Sequence, residues 1–125
     1  AKRNNTKWRN TYTKMKREYK LYLNDIKECI NYIEEYMGGI SEDNFKKNKL
    51  LQDAVIRRLE IIGEASRNIP RALKEKNKHV PWFEMSQFRD LIAHGYFEVS
   101  LSKVWKVFKD DLPNIKKAME NIILV

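Results

Sequence analysis

The feature that most constrains the fold of this chain is a long apolar stripe with helical spacing. Between residues 16 and 37, apolar side chains recur at intervals of three and four, as on one face of an α-helix. They are Tyr19, Tyr22, Leu23, Ile26, Cys29, Ile30, Ile33, Tyr36 and Met37. The pattern predicts a helix from about Lys16 to Met37, ended by the glycines at 38 and 39. Because the stripe is wider than one small bundle core needs, we expect part of it to meet a second subunit.

The rest of the chain repeats this spacing and shows no alternating strand pattern. A second long helix is predicted over residues 48–68, followed by four shorter helical segments. These are 70–77, 81–94, a segment capped by Ser100, and a last one opened by Asp111 and Pro113. The predicted fold is therefore all-α, an up-and-down bundle of four to six helices.

The second long helix carries two features that concern its neighbours. Gly63 lies in mid-helix, where glycine costs about 1 kcal/mol relative to alanine, so we expect a neighbouring helix to approach closely there. Four charged residues share the helix at helical spacing, namely Arg57, Arg58, Glu60 and Glu64. They predict a solvated or structural ion-pair face, and a contact from one of them that orients Arg89 is left open.

The length of the chain predicts one domain, and its net charge is distributed unevenly along the sequence. A chain of 125 residues suits a single domain. Of the net charge of +8, the first twenty residues carry most, with eight basic residues and one acidic residue; the remainder has seventeen basic and sixteen acidic residues. We predict a basic, flexible N-terminal extension over 1–14 and a helical domain over 15–125. The extension is either a disordered leader or an arm whose Trp8 and Tyr12 stack on bases.

Cysteine usage and hydropathy indicate the compartment. The single cysteine, Cys29, excludes an internal disulfide and leaves too few thiolates for a structural zinc site. No run of about 18 apolar residues and no apolar signal core is present in the sequence. These patterns predict a cytoplasmic protein that makes no membrane contact. We expect no metal and no cofactor.

The closest grouping of chemically versatile side chains lies in residues 87–99, Q-F-R-D-L-I-A-H-G-Y-F-E-V. It contains Arg89, Asp90, His94 and Tyr96. Asp90 and His94 are four residues apart, so on a helix the carboxylate can hold the imidazole in one tautomer. Arg89 and His94 are five apart, which separates them by about 140° on a straight α-helix.

Two arrangements would still bring Arg89 and His94 together. Either the helix loosens at Gly95, or two copies of the motif face each other across a dimer axis. An Arg–His cleft suits a phosphodiester, with Arg89 neutralising the phosphate and His94 moving a proton. A ribose 2′-hydroxyl as nucleophile would make the substrate RNA. The alternative is structural: His94 on the helix dipole, paired with Asp90, and Arg89 in a surface salt bridge.

Four motifs together resemble the HepT family of HEPN-domain proteins. They are R-D-L-I-A-H-G-Y at 89–96, Q-D-A-V-I-R-R-L-E-I-I-G-E-A at 52–65, V-P-W at 80–82 and V-W-K-V-F-K-D-D-L-P at 104–113. The resemblance covers residues 15–125 in collinear order and leaves 1–14 outside. It implies a HEPN-like helical fold, a homodimer, and a metal-independent endoribonuclease that is the toxin of a toxin–antitoxin pair.

The resemblance also implies residue roles and a partner. The family motif of Arg, four residues, His, one residue and Tyr maps onto Arg89, His94 and Tyr96, with Asp90 as the polar residue after the arginine. Arg89 and His94 would be catalytic, and Tyr96 would be adenylylated by a partner, a minimal nucleotidyltransferase of the MNT type. A second class of function stays open, in which the chain is a non-catalytic nucleotide-binding partner or substrate of such a transferase.

Overall fold

The computed structural model is built from α-helices. It describes the backbone of residues 2–90 and 100–124, and the side chains of residues 18–90 and 100–124. The helices are α1 (Lys2–Met37), α2 (Glu42–Lys47), α3 (Lys49–Arg67), α4 (Arg71–Lys76), α5 (Trp82–Ser86), α6 (Leu101–Lys106) and α7 (Leu112–Glu120). A 3-10 turn (Gln87–Arg89) follows α5, and a π-helical segment (Val107–Asp111) joins α6 to α7. No strand occurs in the described ranges, and the predicted all-α fold is confirmed.

Helices α1 and α3 pack along each other and form the centre of the core. Their facing residues are fully buried, as expected for two amphipathic helices that share one apolar face. The outer elements cover this pair: α5 and the 3-10 turn pack on α3, and α7 packs on α1. None of the helices in the described part of the chain combines the length and apolarity that crossing a membrane requires.

Helix α1 is longer at its N-terminus than the apolar pattern predicts. Its helical backbone begins at Lys2, so the prediction of a start near Lys16, with no helix over residues 1–14, is wrong. The Asn- and Thr-rich stretch lacks an apolar period, but a helix already nucleated downstream extends at low cost. The proposed domain boundary after residue 14 stays a prediction. The end at Met37 is confirmed, followed by Gly39 with a φ of +73°.

The apolar stripe of α1 is covered by this single chain. Seven of its nine residues are buried, and the other two, Tyr22 and Tyr36, are partly buried against the core. The helices that pack on α1 therefore account for the width of the stripe. The width of the stripe therefore gives no support for the predicted homodimer, which stays a prediction.

Capping side chains begin three of the helices, and the cap at Ser100 was predicted. The Ser41 hydroxyl accepts a hydrogen bond from Asn44 N at 3.1 Å and begins α2. The side chain of Asn48 does the same for Leu51 N at 3.0 Å at the start of α3. Ser100 Oγ accepts from Lys103 N at 3.3 Å and begins α6. Each side chain satisfies an N–H that has no partner within its helix.

Two predicted helices differ in part from those in the structure. The helix predicted over 81–94 leaves the α-conformation after Ser86, whose hydroxyl donates to the Phe83 carbonyl at 2.6 Å and competes with backbone hydrogen bonding. The last helix begins as predicted, with Asp111 directly before its first residue Leu112, but the π-helical segment joins it to α6 without a break. Pro113 lies in the first turn of α7, where a missing N–H is tolerated.

The only cysteine, Cys29, is buried between α1 and α3. Burial raises the pKa of the Cys29 thiol, and a hydrogen bond from Arg58 partly opposes that rise. We expect iodoacetamide to alkylate Cys29 at least about tenfold more slowly in the folded protein than in denaturant, because the thiolate is the reacting form and is disfavoured here. Timed alkylation followed by mass spectrometry measures both rates. Equal rates would contradict the burial of this side chain.

Candidate active site

Two of the four predicted site residues lie in the described part of the chain. Arg89 is the last residue of the 3-10 turn and is exposed, and Asp90 follows it half-buried. His94 and Tyr96 fall within residues 91–99, which lie outside the described residues. The predicted Asp90–His94 pair, the loosening at Gly95 and the shared dimer cleft lie there as well and stay predictions.

Gly63 brings the backbone of the 3-10 turn onto α3. A Cβ atom at this position would lie 2.6 Å from Arg89 N and 3.2 Å from Met85 O. Carbon atoms do not approach backbone atoms that closely, so only glycine allows the observed packing. The predicted close approach is confirmed, and the segment that approaches contains the candidate catalytic arginine.

The guanidinium of Arg89 is held by Glu64, one residue after this glycine. Arg89 Nε lies 3.3 Å from Glu64 Oε2. The side chains are 47% and 55% exposed, so water screens the pair and its contribution to stability is small. Of the contacts that the charge pattern of α3 left open, this one is present. Arg57 instead pairs with Glu60, at 3.4 Å between Nη1 and Oε2.

Asp90 is bound by Arg67, a residue that the sequence reasoning missed. One nitrogen, Arg67 Nη2, donates to both carboxylate oxygens of Asp90, at 3.1 Å to Oδ1 and 3.3 Å to Oδ2. Arg67 lies three residues after Glu64, so both face the same side of α3. That spacing was a signal available in the sequence, since it places a basic residue beside the acidic residue that reaches Arg89.

A cleft of about 320 Å³ lies between α1 and α3 and adjoins Arg89 through Glu64. Its charged lining consists of three carboxylates and one guanidinium, those of Asp25, Glu60, Glu64 and Arg57. Such a lining repels a phosphate chain.

The described half of the site can bind an anion. A guanidinium has five N–H donors, and its Nη1–Nη2 edge has the geometry that binds phosphate through two hydrogen bonds; in Arg89 the atom nearest to Glu64 is Nε. Within residues 18–90 and 100–124, no three His, Cys, Asp or Glu side chains are grouped as metal ligands. The chemistry that this half supports is binding and charge neutralisation by Arg89.

Comparisons with known proteins agree with this fold and motif. The model of the family described as "Ribonuclease HepT-like" matches residues 26–122. The chain is 46% identical over 108 residues to a "probable ribonuclease HepT" of Thermococcus cleftensis, covering 86% of this chain and 98% of that protein. It is 47% identical over 109 residues to a "gamma-glutamylcyclotransferase and putative RNase" of Methanocaldococcus jannaschii, covering 87% of this chain and 49% of that protein.

The chain belongs to the HepT-like family, and the resemblance identified from its motifs is confirmed. It spans only about half the length of the Methanocaldococcus relative, at 49%, and nearly the full length of the Thermococcus relative, at 98%. No solved structure gives a significant match.

Proposed function

We propose that this chain is a metal-independent endoribonuclease of the HepT kind and the toxin of a toxin–antitoxin pair. The observation that carries the proposal is the presentation of Arg89, held on α3 by Glu64 on its Nε side. Membership of the HepT-like family supports RNA as the substrate, since the Thermococcus relative is named a ribonuclease. The sequence motif adds His94 at a distance of five residues.

The proposed reaction needs one positively charged side chain and one side chain that moves a proton. Arg89 binds the scissile phosphate and neutralises the charge that develops on it. His94 takes the proton of the ribose 2′-hydroxyl, O2′ forms a bond to phosphorus, and the bond from phosphorus to O5′ breaks. The leaving O5′ takes up a proton from solvent. The products are a 2′,3′-cyclic phosphate end and a 5′-hydroxyl end.

The test is RNA cleavage in EDTA by the wild type and by Arg89→Ala and His94→Ala. We expect the wild type to cleave in chelator and each variant to lose at least about a hundredfold in rate, the usual effect of removing a transition-state donor or a general base. The controls are Arg71→Ala, which removes a surface arginine paired with Glu75, and His79→Ala, which removes the other histidine. Wild-type rates in both site variants would refute the assignment.

The proposed control of the activity is adenylylation of Tyr96 by a partner nucleotidyltransferase of the MNT type. Tyr96 is two residues past His94, so an attached AMP would bring a phosphate into competition for Arg89 and exclude RNA by size and charge. In Tyr96→Phe the phenol that accepts the AMP is missing. A Tyr96→Phe protein that the co-expressed transferase still silences fully would refute this mechanism.

The active form that we propose is a cytoplasmic homodimer, in which Arg89 and His94 of both chains line one cleft. The resemblance to the HepT family supports it, and two-fold symmetry would solve the separation of the two residues on a straight helix. Light scattering on the purified chain measures the mass. A monomer with full cleavage activity would exclude the shared cleft.

A second candidate is a non-catalytic, nucleotide-binding partner of a nucleotidyltransferase. Two observations favour it: the chain after residue 20 is nearly neutral, with seventeen basic and sixteen acidic residues, and the cleft beside Arg89 is acidic. General RNA binding usually needs a basic surface. Binding of an adenine nucleotide by a protein that leaves RNA uncut in the EDTA assay would favour this function over the ribonuclease.

A further inference from the structure

Helix α3 holds the Arg89–Asp90 dipeptide by two ion pairs of opposite polarity. Glu64 is negative and contacts the positive Arg89, and Arg67 is positive and contacts the negative Asp90. Exchanging the partners would place like charges together, so only one register of the turn on α3 satisfies both pairs. The arrangement fixes which residue of the dipeptide faces which residue of α3.

The backbone between these pairs is fixed as well. Gly63 admits Arg89 N to within 2.6 Å of the position that a Cβ atom would occupy. The turn is thereby attached to α3 at three points: the backbone of Arg89, its side chain, and the side chain of Asp90. Only the side chain of Arg89 retains freedom that matters for binding, because arginine has several rotatable bonds.

Glu64 restricts that freedom at one edge of the guanidinium. The two side chains are nearest at Arg89 Nε and Glu64 Oε2, 3.3 Å apart, so the carboxylate lies on the Nε side of the guanidinium. In the described part of the chain no second carboxylate pairs with Arg89. The carboxylate therefore orients the guanidinium and does not occupy its phosphate-binding edge.

We propose that Glu64 is a positioning residue for Arg89 in RNA cleavage, an inference that rests on the proposed function. By holding Nε, Glu64 keeps the Nη edge aimed at the scissile phosphate before RNA binds. A preorganised donor stabilises the transition state more than a mobile one does, because no reorganisation is needed at the moment of reaction. Glu64 acts through Arg89 and makes no contact with the substrate.

Removing the Glu64 carboxylate has two expected consequences, one for substrate binding, seen in KM, and one for the chemical step, seen in kcat. Removing Glu64 deletes a negative charge next to an anion-binding site, which favours RNA binding and keeps KM from rising. Loss of orientation lowers kcat. A residue that only stabilised the fold would lower the amount of active protein and its Tm, without a kcat loss in the folded fraction.

The experiment compares Glu64→Ala, Glu64→Gln and Glu60→Gln by kcat and KM on one RNA in EDTA, together with Tm. We expect kcat to fall about tenfold in Glu64→Ala, with KM equal or lower. Glu64→Gln, which keeps an acceptor oxygen, should lie between Glu64→Ala and the wild type. Glu60→Gln removes the same charge one turn away, from a residue paired with Arg57, and should keep the wild-type kcat.

A second comparison, made in a protein that carries Arg89→Lys, separates a positioning role of Glu64 from a purely structural role. Lysine at position 89 has no Nε–Nη fork to orient, so Glu64→Ala in an Arg89→Lys protein should change kcat by less than about twofold. A wild-type kcat in Glu64→Ala, or the same tenfold loss in both backgrounds, would overturn the inference. If Arg89→Ala itself cleaved like the wild type, the proposed function would fail, independently of any effect of Glu64.

Discussion

Replacing Gly63 with alanine is expected to destabilise the protein and to impair RNA cleavage together. Alanine favours a helix by about 1 kcal/mol over glycine, but its Cβ would lie 2.6 Å from Arg89 N. The atoms in the way are backbone, which cannot move aside by changing a rotamer, and overpacking of this kind costs about 1–3 kcal/mol. The clash should exceed the propensity gain, for a net loss of up to about 2 kcal/mol in the free energy of unfolding.

The effect on cleavage follows because the displaced segment contains Arg89. A shift of the order of 1 Å at a catalytic group can lower a rate by about a hundredfold. Chemical denaturation and the EDTA cleavage assay measure the two effects. Gly38→Ala is the matched control: its Cβ would meet Glu34 O at 3.4 Å, an ordinary contact. If Gly63→Ala were as stable and active as Gly38→Ala, the packing of the turn on α3 would be wrong.

Replacing Asn77 with alanine is the second substitution with a large expected effect. Asn77 is fully buried after α4, and its side chain makes three hydrogen bonds. Its Nδ2 donates to Leu73 O at 2.9 Å and Ile123 O at 2.8 Å, and its Oδ1 accepts from Ile123 N at 2.7 Å. Alanine leaves the buried Leu73 carbonyl without this partner and removes both bonds to the part-buried backbone of Ile123, and each unsatisfied buried group costs about 1–3 kcal/mol.

We expect Asn77→Ala to lose about 2–4 kcal/mol in the free energy of unfolding. Asn121→Ala is its control, since Asn121 Nδ2 also donates to a carbonyl four residues earlier, that of Lys117 at 3.2 Å, but at an exposed site. Its loss should stay within about 0.5 kcal/mol. Similar losses in the two variants, measured by urea denaturation, would show that burial does not set the cost at Asn77.

The fold was largely predictable because its determinants are local in sequence. The apolar spacing predicted both ends of α3 to within one residue, and the side chain of Ser100 marked the start of α6. The errors occur where no local pattern exists. The first residues of α1 have no apolar period, and the 3-10 turn after Ser86 also packs against Gly63, which lies far away in the sequence.

The residues of the candidate site were predictable from the sequence, but their contacts were less so. Arg89 and Asp90 stand out because four reactive side chains share one short segment, and Glu64 was open as a partner because of its place on α3. Arg67 was missed because its spacing of three residues from Glu64 points to Asp90 only once Glu64 is known to contact Arg89. The predicted pairing of Asp90 with His94 stays a prediction, because the 3-10 turn ends before Asp90 and His94 lies outside the described residues.

The π-helical segment has a consequence for the length of related chains. The buried residues at its two ends are Val107 and Leu112, five positions apart. On a regular α-helix five residues turn by about 500°, so the two side chains would point in directions about 140° apart. The wider turn realigns them on one face. Such a turn contains one residue more than the α-helical turn that it replaces. A chain without one of its solvent-facing residues, such as Asp110, should form an uninterrupted helix that buries the same side chains.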